Sequence, residues 1–314
     1  MSAAAVRSSQ RLQVSRLTGS FAAEVAGVDL GRELDPEIAD EIRRAFAEYS
    51  VLVFRNAGGV GPEEQNRLAA VFGEPQPLEI FQFLGALSAS ISFDPGSRIA
   101  ASNDLAAPKE SARVARADLQ NLGLGGDADG WHSDSSFTPW LPKAAVLRAE
   151  TISPVGGDTC FSSLAAAYDA LSPTMQAWLA GVRAVHMVPE GFKDGINVHQ
   201  YGPDAEAKFD AAYPPREWPL VVAHPETGRK GLFMVPGYIV HIVGLKRAES
   251  HALLRFLARH VASASFVYRH HWRPGDLVAW DEVMTLHRAP DDMGGHPRKV
   301  VRATAGRQVP SAAR

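Results

Sequence analysis

The chain carries one cysteine, Cys160, among 314 residues. A lone thiol excludes an internal disulfide framework and fits a reducing compartment. A cytoplasmic location is therefore expected. No run of about 18 apolar residues is present, so no transmembrane helix is expected. Charge is nearly balanced: 32 Lys and Arg against 35 Asp and Glu give a formal net charge of −3. Nothing in that balance draws the chain toward nucleic acid or an anionic membrane. No repeat is visible at periods of about 20–50 residues. The first ten residues, Ala- and Ser-rich with one Arg, lack the apolar stretch of a secretory signal. Residues 1–15 read as a disordered lead.

What is present is ordinary globular material. Hydrophobic residues make up 46% and charged residues 21%, enough to bury a large core without staples. A strand pair is expected around Phe21–Asp29. Asp35-Pro36 supplies an N-cap and a first-turn proline, and Ile38, Ile42, Ala45, Phe46 and Tyr49 follow at helical spacing. Val51–Phe54 is an apolar, β-branched run, hence a buried strand. Gly61-Pro62 opens a second helix that Gly73 is placed to end. Ser163 and Ser172-Pro173 start short helices over Leu164–Leu171 and Pro173–Ala180. A longer helix is expected over Ala248–Val261. Strands are expected at Leu220–Ala223, Gly231–Val235, Ser265–His271, Leu277–Trp280 and Val300–Ala303. No βαβ alternation appears, so a doubly wound sheet is not expected. The implied class is mostly β with flanking helices. Residues 84–131 are rich in Gly, Ser, Asp and Ala and read as a long loop, placed as a lid.

His132-Ser133-Asp134 is a His-x-Asp unit. On a strand, residues i and i+2 share a face, so both side chains would reach one cation. Two imidazoles and one carboxylate form the facial triad of non-haem Fe(II) oxygenases. Taken alone the unit is a weak signal. The second imidazole must come from elsewhere among 11 histidines. His224-Pro225-Glu226 competes as a His-x-Glu unit, but Pro225, Thr227 and Gly228 make it a turn between strands. A Gly123-x-Gly125-x-x-Ala128 string spells a dinucleotide fingerprint and raises a nicotinamide-dependent oxidoreductase as a rival. It follows no convincing strand and opens no helix. A zinc hydrolase would also accept two His and a carboxylate, yet no His-Glu-x-x-His is present. A non-catalytic metal- or sugar-binding jelly roll is the remaining rival.

Context discriminates among these readings. Trp131-His132-Ser133-Asp134-Ser135-Ser136-Phe137 resembles the first metal motif of the taurine/2,4-dichlorophenoxyacetate (TauD/TfdA) dioxygenase family. Gly156-Gly157-Asp158-Thr159, His224–Lys230, Phe266–His270 and Gly275–Asp281 match the family in order and distance. The likeness runs from about Leu17 to Arg307 and is closest in wording to the phenoxyacetate branch. It implies a double-stranded β-helix (jelly roll) core, in a single domain over residues 16–308. It implies Fe(II), 2-oxoglutarate and O₂ as cofactor and co-substrates. His132, Asp134 and His287 are then the metal ligands. Arg298 and Thr159 hold the far carboxylate of 2-oxoglutarate, a role that suits a guanidinium fork. Arg302 faces the anionic group of a small acidic substrate. Hydroxylation of that acid is expected, with ether cleavage if it is an aryloxyalkanoate. A sulfonate, alkyl sulfate or amino-acid derivative is the alternative substrate.

Further positions stay open. Phe81 and Phe83 either line an aromatic pocket or belong to an ordinary strand with alternating apolar residues. Asn103 is similarly placed. Trp280 either lines the pocket or packs the core. His270 and His271 read as structural. Where many relatives carry Asn-Arg after Trp-Asp, this chain has Glu282-Val283, which puts the local support of His287 in question. The family's habits also imply a homo-oligomer, with no nucleic-acid or membrane partner.

Overall fold

A computed structural model describes residues 12–55, 61–78, 80, 83, 130–188, 193, 201–290 and 292–313. The chain enters through β1 (Gln13–Arg16) and β2 (Ala23–Ala26), then α1 (Pro36–Tyr49), β3 (Val51–Phe54) and α2 (Pro62–Phe72). After residue 130 come β4 (Ala144–Thr151), β5 (Thr159–Ser163), α3 (Leu164–Asp169), α4 (Pro173–Leu179) and β6 (Arg183–His186). Then follow α5 (Ala205–Ala212), β7 (Arg216–Pro219), β8 (Val221–Ala223), β9 (Lys230–Leu232) and β10 (Ile239–Ile242). The last elements are α6 (Arg247–Val261), β11 (Val267–His270), β12 (Leu277–Asp281), β13 (Thr285–Arg288) and β14 (Lys299–Ala305). The described residues are strand-rich, with six α-helices, as expected of the class.

Most anticipated elements form, and for the anticipated reasons. Asp35 caps α1 by accepting the Glu37 N–H at 3.0 Å. Ser163 and Ser172 cap α3 and α4. Helix α2 ends at Gly73, where an added Cβ would sit 2.7 Å from the Gly306 backbone. The strand pair starts earlier than expected, since β1 takes in residues 13–15 of the anticipated lead. Strands β4, β5, β6, β7, β10 and β13 and helix α5 were not anticipated. Strands β4 and β5 are buried on both faces over most of their length, so they lack the alternation that marks a half-exposed strand.

A six-stranded sheet runs β1-β2-β3-β12-β4-β14. Alternation along β3 divides its two faces. Leu52 and Phe54 point to one side, joining Ile42 and Phe46 of α1 and Leu68 and Phe72 of α2. Val51 and Val53 point to the other, joining Val278 and Trp280 of β12 and Phe161 of β5. Helices thus cover the outer face. The inner face meets a second sheet, ordered β11-β5-β13, and the Phe161 and Trp280 rings touch across the gap at 5.4 Å. The His224 turn joins β8 to β9, with His224 Nδ1 accepting the N–H groups of Glu226 and Thr227. His270 and His271 are held by Asp276 and Asp158. No helix among the described residues is long and apolar enough to cross a membrane.

The link from β4 to β5 closes through Gly156 and Gly157, both at positive φ, +60° and +71°. Gly157 N–H donates to Asp292 Oδ1 at 2.9 Å. A Cβ on Gly156 would lie 2.3 Å from the Asp292 carbonyl oxygen. Strained backbone and a backbone clash then act together, at a cost of roughly 1–3 kcal/mol or more. Gly156→Ala is expected to lower unfolding free energy by at least that lower bound. A urea titration with an unchanged midpoint would contradict this.

Candidate metal centre

Residues 132–134 were expected to lie on a strand, and only His132 is so placed. It forms an isolated antiparallel bridge with His287 of β13. His132 N–H donates to His287 O at 3.1 Å, and His287 N–H donates to His132 O at 2.8 Å. After His132 the chain turns, with Ser135 at φ +63° and Thr138 N–H donating to Ser135 O. The Asp134 N–H is taken by the Glu282 carboxyl at 2.8 Å instead of by a neighbouring strand. The expected convergence survives by this different route. His132 Nε2 and His287 Nε2 each lie 3.9 Å from Asp134 Oδ1, and one donor atom from each residue falls within 4.8 Å of the others.

Protonation suits a cation. The His132 Nδ1 lies 2.9 Å from the Gly130 carbonyl oxygen. A carbonyl can only accept, so Nδ1 carries the proton and Nε2 presents its lone pair. Burial and the neighbouring His132 push the His287 imidazole well below its usual range, hence neutral. Burial pushes the Asp134 carboxyl up, but the Arg302 guanidinium paired with it acts the other way, and the carboxyl lies below the ordinary range. Two imidazoles and a carboxylate gathered in one small volume can hold a divalent metal ion. The Trp280 ring, 4.9 Å from the His287 ring, packs against the site.

One cavity opens beside this cluster, lined by His132, His287, Thr159, Arg298 and Arg302. Its apolar walls include Leu147, Trp280 and Val300. Trp280 thus serves both readings: it lines the cavity and is almost wholly buried. Arg298, Val300 and Arg302 all line the cavity. Arg298 is buried and donates to Thr159 Oγ1 at 3.0 Å. Burial lowers its guanidinium to about 10. Trp272 Nε1–H also donates to Thr159 Oγ1, at 3.0 Å. With two donors on its oxygen, the Thr159 hydroxyl keeps its own proton to donate. Arg302 pairs with Asp134 Oδ2, leaving Oδ1 toward the histidines.

Two residues of the site escaped the sequence reading. Arg288 lines the same cavity and lies over the Trp131 ring, its carbon 5.1 Å from the ring centroid. Its place directly after His287 was the available signal. Glu282 was seen only as a departure from the family wording. It is wholly buried against Asp134, Ser133 and Trp280. Burial and Asp134 push its carboxyl well above the ordinary range. Phe83 does not line the cavity. Its backbone is helical, not extended, and its ring packs on Phe209 and Tyr213 at 6.1 and 5.3 Å. Phe81, Asn103, the Gly123–Ala128 string and all but the last two residues of the expected 84–131 lid lie outside the described residues.

A strand-rich fold with two imidazoles, one carboxylate and an arginine-lined cavity defines a metal-dependent enzyme site. Residues 13–304 match the model of the family described as taurine catabolism dioxygenase TauD, TfdA family. An α-ketoglutarate-dependent 2,4-dichlorophenoxyacetate dioxygenase of Cupriavidus pinatubonensis is 37% identical over 270 residues, covering 85% of this chain and 88% of that one. An alkylsulfatase of Acinetobacter baylyi is 29% identical, covering 97% and 88%. The crystal structure of AAD-2 in complex with Mn(II) and N-oxalylglycine superposes with a TM-score of 0.71 at 28% identity, covering 96% and 99%. The chain belongs to the TauD/TfdA family of dioxygenases.

His186, buried behind the metal loop, accounts for a pH dependence. Its Nδ1 lies 2.9 Å from Ser136 Oγ, and burial lowers its imidazole to about 3. The folded chain thus holds His186 neutral where the unfolded chain, near 6.5, binds a proton. Its stabilising contribution is complete above pH 6.5 and is lost as pH falls toward 3. Between pH 6 and 4 the wild-type chain should lose stability more steeply than His186→Gln, by up to roughly 1.4 kcal/mol per pH unit. Denaturant titrations at several pH values read the slopes directly; equal slopes would refute this.

Proposed function

We propose that the chain is an Fe(II)- and 2-oxoglutarate-dependent dioxygenase that hydroxylates a small organic acid. His132, Asp134 and His287 hold the metal. The observation that carries this reading is one cavity that joins His132 and His287, with Asp134 clustered beside them, to the buried Arg298–Thr159 pair. A metal site alone would need no such pair. Three protein ligands on one side leave positions for a chelating 2-oxo acid and O₂. We read the two facing sheets as a double-stranded β-helix, in one domain, with the site between them.

Fe(II), when bound with 2-oxoglutarate and O₂, supplies hydroxylation of a C–H bond, with release of succinate and CO₂. The chain's own residues bind and orient. Arg298 grips the distal carboxylate of 2-oxoglutarate, and Thr159 donates its remaining proton to the same group. Their burial strengthens both contacts, since water competes little there. Arg302 fixes the outer oxygen of Asp134 and faces the cavity, where it meets the anion of the substrate. Leu147, Trp280 and Val300 keep water from the space between. The protein's part is placement and exclusion, while the cofactor performs the difficult step.

An aryloxyalkanoate is the favoured substrate. Hydroxylation next to its ether oxygen gives a hemiacetal that collapses, cleaving the ether. Support comes from the relative named a 2,4-dichlorophenoxyacetate dioxygenase and from the family wording of residues 131–137. The relative named an alkylsulfatase supports a sulfate ester as the second reading, because a guanidinium serves either anion.

Succinate release from 2-oxoglutarate with Fe(II) and ascorbate tests the reaction. A panel of aryloxyacids, sulfonates, alkyl sulfates and amino acids tests the substrate. His132→Ala should abolish turnover; full activity in that variant would sink the ligand assignment. Arg298→Gln should raise the KM for 2-oxoglutarate by roughly 10- to 100-fold, the worth of hydrogen bonds to a charged group. Arg302→Ala should damage turnover of acidic substrates more than of neutral analogues. An equal loss for both would remove Arg302 from substrate recognition.

A further inference from the structure

The buried acid Glu282 has no part in the assignment above. It lies at the turn between β12 and β13 and is wholly inaccessible. Its two oxygens face different elements. Oε2 accepts the Asp134 N–H at 2.8 Å and lies 3.2 Å from the Ser133 hydroxyl oxygen. Oε1 accepts the Trp280 indole N–H at 2.9 Å. Ser133 donates to the Glu282 main-chain carbonyl. One side chain therefore ties the loop bearing Asp134 to the indole that packs on the His287 ring.

We propose that Glu282 is a positioning residue, which holds Asp134 and, through Trp280, the His287 ring in the arrangement that captures the metal. The inference rests on the reading that His132, Asp134 and His287 are the ligands. Three features carry it. Asp134 lies in a turn, so its buried N–H lacks a ladder partner and Glu282 supplies the acceptor. The Trp280 indole has its buried donor satisfied by the same carboxyl. A two-oxygen group serves both donors, whereas a side-chain amide has one accepting oxygen. Partners beyond the ligands commonly change metal affinity by roughly 10- to 100-fold when removed.

Co(II) titration of the metal-free full-length chain, followed by its visible absorption, tests this without turnover. Glu282→Met fills the same space without either acceptor, and should weaken Co(II) binding roughly 10- to 100-fold and alter the band shape. Glu282→Gln keeps one accepting oxygen and should recover part of the loss. Thermal unfolding of the metal-free variants separates positioning from bulk stability. A lowered midpoint with wild-type Co(II) affinity and band shape would overturn the proposal, because the residue would then be structural only. A wild-type chain that takes up no Co(II), or His287→Ala binding as wild type, would overturn the ligand reading itself and this inference with it.

Discussion

Two backbone hydrogen bonds hold the site together. The pair between His132 and His287 is the sole described contact that brings their main chains into register outside a named strand ladder. It joins a turn to β13, itself paired with β5. Strand β5 carries Thr159, and Thr159 accepts from Arg298, which precedes β14. Each functional side chain is thus placed by the element before it. The inner faces of the two sheets provide the rigidity, with Phe161 packed on Trp280 between them.

Charge organises the same volume. Three guanidinium groups, Arg288, Arg298 and Arg302, line one cavity with a single carboxylate ligand close by. A cavity lined this way attracts anions, and its low-dielectric walls lengthen the reach of each charge. Arg298 is kept in place from outside the cavity as well. The carboxylates of Asp158 and Asp292 favour its charged form, against burial, and Arg269 bridges these two acids. The Gly156–Gly157 turn lets Arg298 pass, since a Cβ on Gly157 would press its Cδ at 3.1 Å.

Much of this was legible in the sequence, for identifiable reasons. Helix α1 announces itself through Asp35-Pro36 and an apolar stripe, because local bonds set its start. The grouping of His132, Asp134 and His287 was expected from residue types that metal chemistry demands, in a family order, and the fold brings the three together. Strands β4 and β5 were missed because burial on both sides erases their period. The strand expected at residues 132–134 failed for a tertiary reason: the Glu282 side chain replaces a neighbouring strand as acceptor. Phe83 failed likewise, since its packing against Phe209 and Tyr213 depends on α5, which left no clear mark in the sequence. Glu282 itself was visible only as an odd letter. Its meaning appears when β12 and the Asp134 turn are side by side.

The position of Trp280 has a practical side. An indole that packs on the imidazole of His287, a proposed metal ligand, is an optical reporter placed by the fold. Paramagnetic ions quench excited indoles at short range, so the protein's own emission would register occupancy of the centre. The chain has six tryptophans, so comparison with Trp280→Phe would isolate the signal of this one. Loading could be followed in dilute solution, without dye or label.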